Sequence, residues 1–272
     1  MKSFKFYLLV FVCFLFGAFL GFSFWLSDKY VVPIVMYHHV DIKEHKDLNT
    51  VSPASFEHQM DFIKKNGYHV ISLDALVEAI KENKPMPHKS VVITFDDGYD
   101  DNYSYAYPIL KQRQFPATIF LISDFIGKEG YLDWSQIKEM LKNGVSFGSH
   151  TRHHAYLPGV KNIGMLMDEI EQSKNIIERN LGQKVNYFCY PFGGFNPVVK
   201  EIVKQSGYKA AVTTNRGFER YNKDLYEIKR VRFKDKDSDL VMRFKLSGFY
   251  NLFRGIKPPS ENTRKTPAED KY

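Results

Sequence analysis

The sequence predicts a parallel, barrel-like α/β domain, because short apolar segments, about eight of them, alternate with amphipathic helical segments over residues 31–232. A chain of 272 residues with 44% hydrophobic content can also bury one large core or at most two small ones. The formal net charge is +7, but no dense run of Lys and Arg accompanies it. We therefore expect no nucleic-acid partner.

The N-terminal segment is the first element. Residues 6–26 carry no charged side chain and follow Lys2 and Lys5. As a helix this segment would span a bilayer, and the lysines favour a cytoplasmic N-terminus with the rest of the chain outside. A cleaved signal peptide, followed by secretion, is the alternative. The bulky end of the segment and its lack of a small-x-small cleavage site favour an uncleaved transmembrane anchor at residues 1–27.

The remaining elements follow from periodicity and turn residues. Strands are expected near residues 31–36, 68–71, 91–95, 117–122, 145–148, 187–190, 209–213 and 228–232. Ser52 and Pro53 resemble an N-cap and a first helical residue, which predicts a helix to about Lys65. Further helices are expected at residues 73–82, 103–112, 135–143, 162–181 and 197–206. The polar tail 257–272 is predicted to be disordered, which leaves residues 28–256 as the barrel domain.

An acidic pair ends one of the apolar strands. Residues 91–95 run directly into Asp96, Asp97 and Gly98. Side chains alternate along a strand, so the two carboxylates can serve one site only if the backbone turns there, and Gly98 permits a turn. The C-terminal edge of a parallel sheet is where α/β enzymes place their chemistry. A solvated Asp-Gly turn is the alternative.

A histidine cluster ends a second strand. In the segment GSHTRHH, His150 and His154 are four residues apart, close enough in a tight turn to bind one ion. With one carboxylate they would leave coordination positions open for water and substrate, as a catalytic metal site requires. A surface loop that happens to hold three histidines is the alternative.

Aromatic residues at two further positions could line a groove. In the segment FCYPFGG, Tyr190 and Phe192 could form a wall, and the exposed backbone amides could bind a developing oxyanion. The alternative is an aromatic core strand with a glycine turn. Trp134 is likewise expected to be either a groove wall or a core residue.

Taken in order, TFDDG, HTRHH and YPFG resemble the polysaccharide deacetylases, the NodB-like family, over about residues 31–233. The resemblance implies a distorted (β/α) barrel, here of seven to eight strands, and removal of acetyl groups from sugars with a divalent metal, usually Zn²⁺. By this resemblance Asp97, His150 and His154 are the metal ligands and Asp96 is the catalytic base. The backbone amide of Phe192 would help to bind the oxyanion.

The chain departs from the family pattern at two positions. Where many members have an arginine that orients the base, this chain has Cys189, so the partner of Asp96 is unassigned. Most members have a catalytic histidine near the C-terminus, but no histidine follows His154. The segment YHHV instead resembles the circularly permuted deacetylases of biofilm exopolysaccharides, in which His38 matches the general acid. His39 would point to the opposite face of the strand.

The sequence thus predicts a membrane-anchored, extracytoplasmic, zinc-dependent N-deacetylase of an N-acetylglucosamine polysaccharide. A poly-β-1,6-N-acetylglucosamine exopolysaccharide is the favoured substrate, and peptidoglycan or chitin oligomers are alternatives. A surface carbohydrate-binding protein without catalytic activity is the alternative from another class. The sequence does not indicate protein partners.

Overall fold

The main sheet is entirely parallel. The structure is a computed structural model and describes residues 2–27, 29–43, 49–255 and 257–259. The disordered tail is predicted to begin at Lys257, but Lys257 forms a β-bridge with Arg216, and the rest of the tail beyond residue 259 lies outside the described residues. The strands of the nine-stranded sheet are β1 (Ile34–Tyr37), β4 (His69–Val70), β5 (Ser90–Phe95), β6 (Ala117–Leu121), β7 (Val145–Ser149), β8 (Tyr187–Cys189), β9 (Ala210–Thr213), β10 (Ile228–Lys229) and β11 (Val231–Arg232). A separate small sheet pairs β2 (His39–Val40) with β3 (Thr50–Val51).

One short segment nearly closes this sheet into a barrel. The strand order is β10-β9-β8-β7-β6-β5-β1-β11, so β10 and β11 lie at opposite ends of the sheet. Only Arg230 separates them in the chain, and the predicted strand 228–232 is divided there. Its first half pairs with β9 and its second half pairs with β1. The predicted barrel is confirmed, with Arg230 at its closing seam.

Helices alternate with most of the strands, and most of their predicted bounds are close. They are α1 (Lys2–Ser27), α2 (Pro53–Lys65), α3 (Leu73–Lys81), α4 (Tyr107–Arg113), α5 (Trp134–Lys142), α6 (Ile163–Met167), α7 (Ser173–Leu181), α8 (Pro197–Gln205), α9 (Asp239–Lys245) and α10 (Tyr250–Phe253). The hydroxyl of Ser52 caps α2 by accepting a hydrogen bond from the amide of Ser55 at 3.3 Å. The long helix predicted at 162–181 is interrupted by a π-helical turn, Asp168–Gln172.

The alternation of side chains along β5 separates two environments. Val91, Ile93 and Phe95 belong to the larger core cluster between the sheet and the helices. Val92 belongs to a second cluster, together with residues of the other barrel strands. Because side chains alternate, Thr94 and then Asp96 continue the row of Val92. The strand therefore brings a carboxylate to the barrel interior at its C-terminal end.

The predicted N-terminal anchor is less well supported. Residues 2–27 form α1, but the side chains of several of them are outside the described part of the chain. Among the residues described together with their side chains, no helix is both long and apolar enough to cross a membrane. The described residues thus do not support the transmembrane helix, which stays a prediction.

Candidate active site

The predicted catalytic residues gather at one end of the barrel. Because the strands are parallel, their C-terminal ends share one edge, and the loops that follow them meet there. His38 follows β1, Asp96 and Asp97 follow β5, His150 and His154 follow β7, and Phe192 follows β8. The fold therefore brings together segments that are more than a hundred residues apart in the chain.

Three of these side chains form a group with the composition of a metal site. One ligand atom from each of Asp97, His150 and His154 lies within 4.8 Å of the others. The Oδ1 atom of Asp97 is 3.4 Å from Nε2 of His150 and 3.3 Å from Nε2 of His154. This oxygen is buried and has no hydrogen-bond partner among the described residues. A buried, unsatisfied carboxylate oxygen between two imidazole nitrogens fits a divalent cation such as Zn²⁺.

Burial and neighbouring groups set the protonation of the three side chains. Nδ1 of His150 lies 2.7 Å from the carbonyl oxygen of Cys189, which can only accept, so Nδ1 carries the proton and Nε2 faces Asp97. Burial lowers the pKa of His154 to about 4, so its imidazole is neutral near pH 7. Burial alone would raise the pKa of Asp97, but His150 and His154 lower it by more. The pKa therefore lies below its usual value, and the carboxylate stays ionised. Burial alone would lower the pKa of His150, but its contacts with Cys189 and Asp97 raise it well above the usual value, so a bound cation would have to displace the proton of Nε2.

The backbone around the group is strained. Asp97, Thr151, His154 and Phe192 are four of the eight non-glycine residues with positive φ among those described. Such angles are uncommon for residues with a side chain and persist where the surroundings hold them. Part of this support is local: Oγ1 of Thr151 accepts a hydrogen bond from the amide of His154 at 2.9 Å. Gly98 also has positive φ, so the turn expected there is present and begins one residue earlier, at Asp97.

Asp96 is held by an arginine that sequence reasoning missed. Arg230 is fully buried, and its Nη1 and Nη2 atoms donate to Oδ1 and Oδ2 of Asp96 at 2.7 and 2.6 Å. Burial raises the pKa of Asp96, but the charge and hydrogen bonds of Arg230 bring it below its usual value. Arg230 also donates to Oγ1 of Thr94 at 3.1 Å. The signal available was a predicted strand, residues 228–232, with three basic residues, of which Arg230 is the central one.

Cys189 shares this space without replacing an arginine. Its sulfur lies 3.1 Å from Nη2 of Arg230, and it could form a second three-residue group with Asp96 and His150. In that group, however, both oxygens of Asp96 already accept hydrogen bonds from Arg230. The unsatisfied oxygen belongs to Asp97, so the group of Asp97, His150 and His154 is the stronger candidate.

The two neighbouring histidines point to different partners. Nε2 of His38 lies 3.9 Å from Oδ2 of Asp96, and burial lowers the pKa of His38. Nδ1 of His39 lies 2.5 Å from Oδ2 of Asp101, and its ring stacks on Tyr99 with centroids 3.6 Å apart. His38 therefore faces the site, whereas His39 is a buried structural residue, as the alternation of a strand predicts.

A second unforeseen group fixes the backbone next to His38. Asn102 donates through Nδ2 to the carbonyl oxygen of His38 at 2.8 Å. Asp101 accepts hydrogen bonds from the amide of Val40 at 3.0 Å and from Asn102 at 2.7 Å. These residues come four and five positions after Asp97, so the segment after β5 positions both Asp96 and the histidine opposite it.

Of the three predicted wall residues, Tyr190 and Trp134 pack in or against the core, and Phe192 borders the site. Tyr190 is only 1% exposed, and its hydroxyl donates to the carbonyl oxygen of Tyr226 at 3.0 Å, so it is a core residue and not a groove wall. Trp134 begins α5 and packs against the main core cluster, which favours the core alternative. Phe192 is 44% exposed and its ring lies 4.5 Å from that of His154, so it does border the site.

Comparisons with known proteins agree with this geometry. The polysaccharide deacetylase family profile matches residues 83–211. YxkH of Bacillus subtilis (strain 168), whose name places it among the polysaccharide deacetylases, is 35% identical over 201 residues, 74% of this chain and 71% of that protein. The poly-β-1,6-N-acetyl-D-glucosamine N-deacetylase of Staphylococcus aureus (strain MSSA476) is 28% identical over 214 residues, 74% of this chain and 73% of that protein.

A solved deacetylase structure has the same fold. The Streptococcus pyogenes deacetylase PplD, solved in complex with acetate, superposes with a TM-score of 0.73 at 30% identity, over 79% of this chain and 97% of that one. The similarity therefore extends well beyond the short motifs around Asp96 and His150. On these grounds the chain belongs to the polysaccharide deacetylase family and is a de-N-acetylating hydrolase.

Proposed function

We propose that this chain is a metal-dependent N-deacetylase of an N-acetylglucosamine polysaccharide, with poly-β-1,6-N-acetylglucosamine as the favoured substrate. The observation that carries the metal dependence is the buried oxygen of Asp97, which lies between two imidazole nitrogens and has no hydrogen-bond partner among the described residues. The name of the Staphylococcus aureus relative supports the substrate. Peptidoglycan and chitin oligomers remain the alternative substrates.

Asp97, His150 and His154 would hold the cation, and Zn²⁺ is our proposal because two imidazoles and a carboxylate leave an open position of the catalytic zinc type. When bound, such a cation polarises the acetamide carbonyl and makes water more acidic. The other side chains perform the proton transfers.

Asp96 would accept the proton of the attacking water, and Arg230 orients its carboxylate and keeps it ionised. Water attacks the acetamide carbon, and the backbone amide of Phe192 would donate to the developing oxyanion. His38 would donate a proton to the nitrogen as the C–N bond breaks, so acetate and a free amine leave. The 3.9 Å separation between His38 and Asp96 places a base and an acid on the same small site.

A carbohydrate-binding protein without catalytic activity is the second candidate. The sequence lends it some support at Cys189, which stands where many family members have the arginine that orients the base. Arg230 makes that contact from another strand, so this support disappears. A binding module has no need of both a candidate ligand group and a separately oriented carboxylate.

Metal removal tests the proposed function. The full chain should release acetate from β-1,6-linked N-acetylglucosamine oligomers, lose this activity on chelation and regain it when Zn²⁺ is added. Asp97→Ala should lose both bound metal and activity, since it removes the central ligand. His153→Ala is the matched control from the same loop, because His153 pairs with Glu169 and Asp124 instead. Full activity in metal-free protein would contradict the proposal.

The two adjacent histidines give a second test. His38→Ala should lower kcat/KM by about 10²–10⁴-fold, the usual contribution of a positioned acid or base, without loss of bound metal. His39→Ala should cause a smaller loss of kcat/KM together with a lower melting temperature, because it breaks the buried contact with Asp101. The comparison requires acetate release and thermal unfolding of both variants. A larger catalytic loss for His39→Ala would overturn the assignment of the acid.

We also propose that residues 1–27 anchor the barrel domain, residues 28–256, to the outside of a membrane. The support is the uncharged segment 6–26 preceded by Lys2 and Lys5. Fractionation of expressing cells should find the full chain in membranes and the chain starting at residue 28 in the soluble fraction. If the full chain is instead found as a soluble product cleaved near residue 27, the signal-peptide alternative is established.

A further inference from the structure

Three aromatic side chains form a cluster beside the candidate metal group, which we call the tyrosine wall: Tyr99, Phe125 and Tyr131. The rings of Tyr99 and Tyr131 are 5.2 Å apart, and Phe125 meets Tyr131 edge to face at 5.0 Å. All three are only half-buried, in contrast to the aromatic residues of the core. The cluster therefore presents ring surface to the solvent.

The backbone ties this wall to the acidic pair. Tyr99 lies two residues after Asp97, and Tyr99 and Tyr131 form an isolated antiparallel bridge. The amide of Leu132 donates to the carbonyl oxygen of Gly98 at 2.9 Å, and the amide of Asp100 donates to that of Gly130 at 3.1 Å. Any movement of the wall would have to break these hydrogen bonds. Its distance from the site is thus fixed by the same turn that positions Asp96 and Asp97.

The wall and Phe192 both adjoin the metal group. Tyr131 is held next to Asp97 by the backbone, because it bridges Tyr99 and its neighbour Leu132 is hydrogen-bonded to Gly98, the residue after Asp97. The exposed ring of Phe192 lies against His154, another member of the group. Aromatic rings that are at least partly exposed therefore lie next to the group at both Asp97 and His154. This surface is large enough to contact more of a sugar substrate than its acetamide group.

We propose that the tyrosine wall, with Tyr131 as its front ring, is a subsite that stacks on a hexosamine ring next to the one being deacetylated. The C–H face of a pyranose is apolar and packs on the face of an aromatic ring, as other apolar groups do. Tyr99 supports Tyr131 from behind, since its own ring is stacked on buried His39. The inference rests on the proposed function, because it assumes a polymeric sugar substrate.

Binding to a turnover-deficient chain tests the subsite. In the full chain carrying Asp96→Asn and loaded with Zn²⁺, we would measure by calorimetry the dissociation constants of a β-1,6-linked N-acetylglucosamine tetramer and of the methyl glycoside of N-acetylglucosamine. Adding Tyr131→Ala should weaken tetramer binding about tenfold, the size expected for loss of one stacked ring. Binding of the methyl glycoside should stay within about twofold, because it fills only the deacetylation position.

Three further variants make the result specific. Tyr131→Phe keeps the ring and should bind the tetramer like the parent, while Tyr131→Leu keeps apolar bulk without a ring and should weaken binding. Tyr103→Ala is the matched control, since Tyr103 is a half-buried tyrosine whose ring stacks on Tyr107 and whose hydroxyl donates to Glu139. It should leave both dissociation constants unchanged.

The outcomes separate the subsite from the function on which it rests. Tetramer binding that is indifferent to Tyr131→Ala and Tyr131→Leu would overturn the subsite, and so would equal losses for the tetramer and the methyl glycoside. If the wild-type chain releases no acetate from any oligomer while tetramer binding still depends on Tyr131, the proposed function fails and the sugar subsite stands. If the wild-type chain releases acetate while tetramer binding does not depend on Tyr131, the proposed function stands and the sugar subsite fails.

Discussion

The buried ion pair between Asp96 and Arg230 is the interaction on which the site and the barrel both depend. Arg230 is the single residue between β10 and β11, where the sheet nearly closes on itself. Its guanidinium lies over the ring of Phe120 at 5.6 Å, so it is packed as well as paired. Removal of one partner of such a pair leaves an uncompensated buried charge, which typically costs about 3–5 kcal/mol. The seam of the barrel and the orientation of the candidate base are thus one feature.

The turn after β5 is the second constraint, because it serves several parts of the site at once. Asp97 adopts positive φ and so directs its carboxylate to the two histidines while Asp96 stays in the barrel interior. Asp101 and Asn102, a few residues later, hold the backbone of Val40 and His38. Tyr99 lies between these two groups. A single short segment therefore positions the proposed base Asp96, the proposed ligand Asp97, the proposed acid His38 and the tyrosine wall.

Much of the fold could be predicted because it depends on local patterns. Alternating apolar segments gave the strand positions, and the Ser52-Pro53 start of α2 was recognisable from its cap. Asp97, His150 and His154 could be grouped because each follows a strand, and parallel strands end at one edge. The division of strand 228–232 at Arg230 could not be foreseen, since it depends on which strands lie on either side of the seam.

The parts of the site that escaped prediction depend on contacts distant in the chain. Arg230 and Asp96 are 134 positions apart in the chain, and the local sequence around each gives no indication of the other. Tyr190 and Phe192 look equivalent in the segment YPFG, yet one is in the core and one is exposed, because Phe192 adopts positive φ in the turn that follows β8. Motifs identified the residue types, and packing decided their roles.

The most direct test of this account replaces Arg230 while metal content, acetate release and thermal unfolding are measured together. Arg230→Met should keep the metal, because Asp97, His150 and His154 are untouched, but should lower acetate release by at least about 10²-fold, the lower end of what a positioned base contributes. Arg230→Lys should recover part of the activity by restoring a positive charge beside Asp96. Near-normal turnover in a folded, metal-loaded Arg230→Met variant would contradict the account.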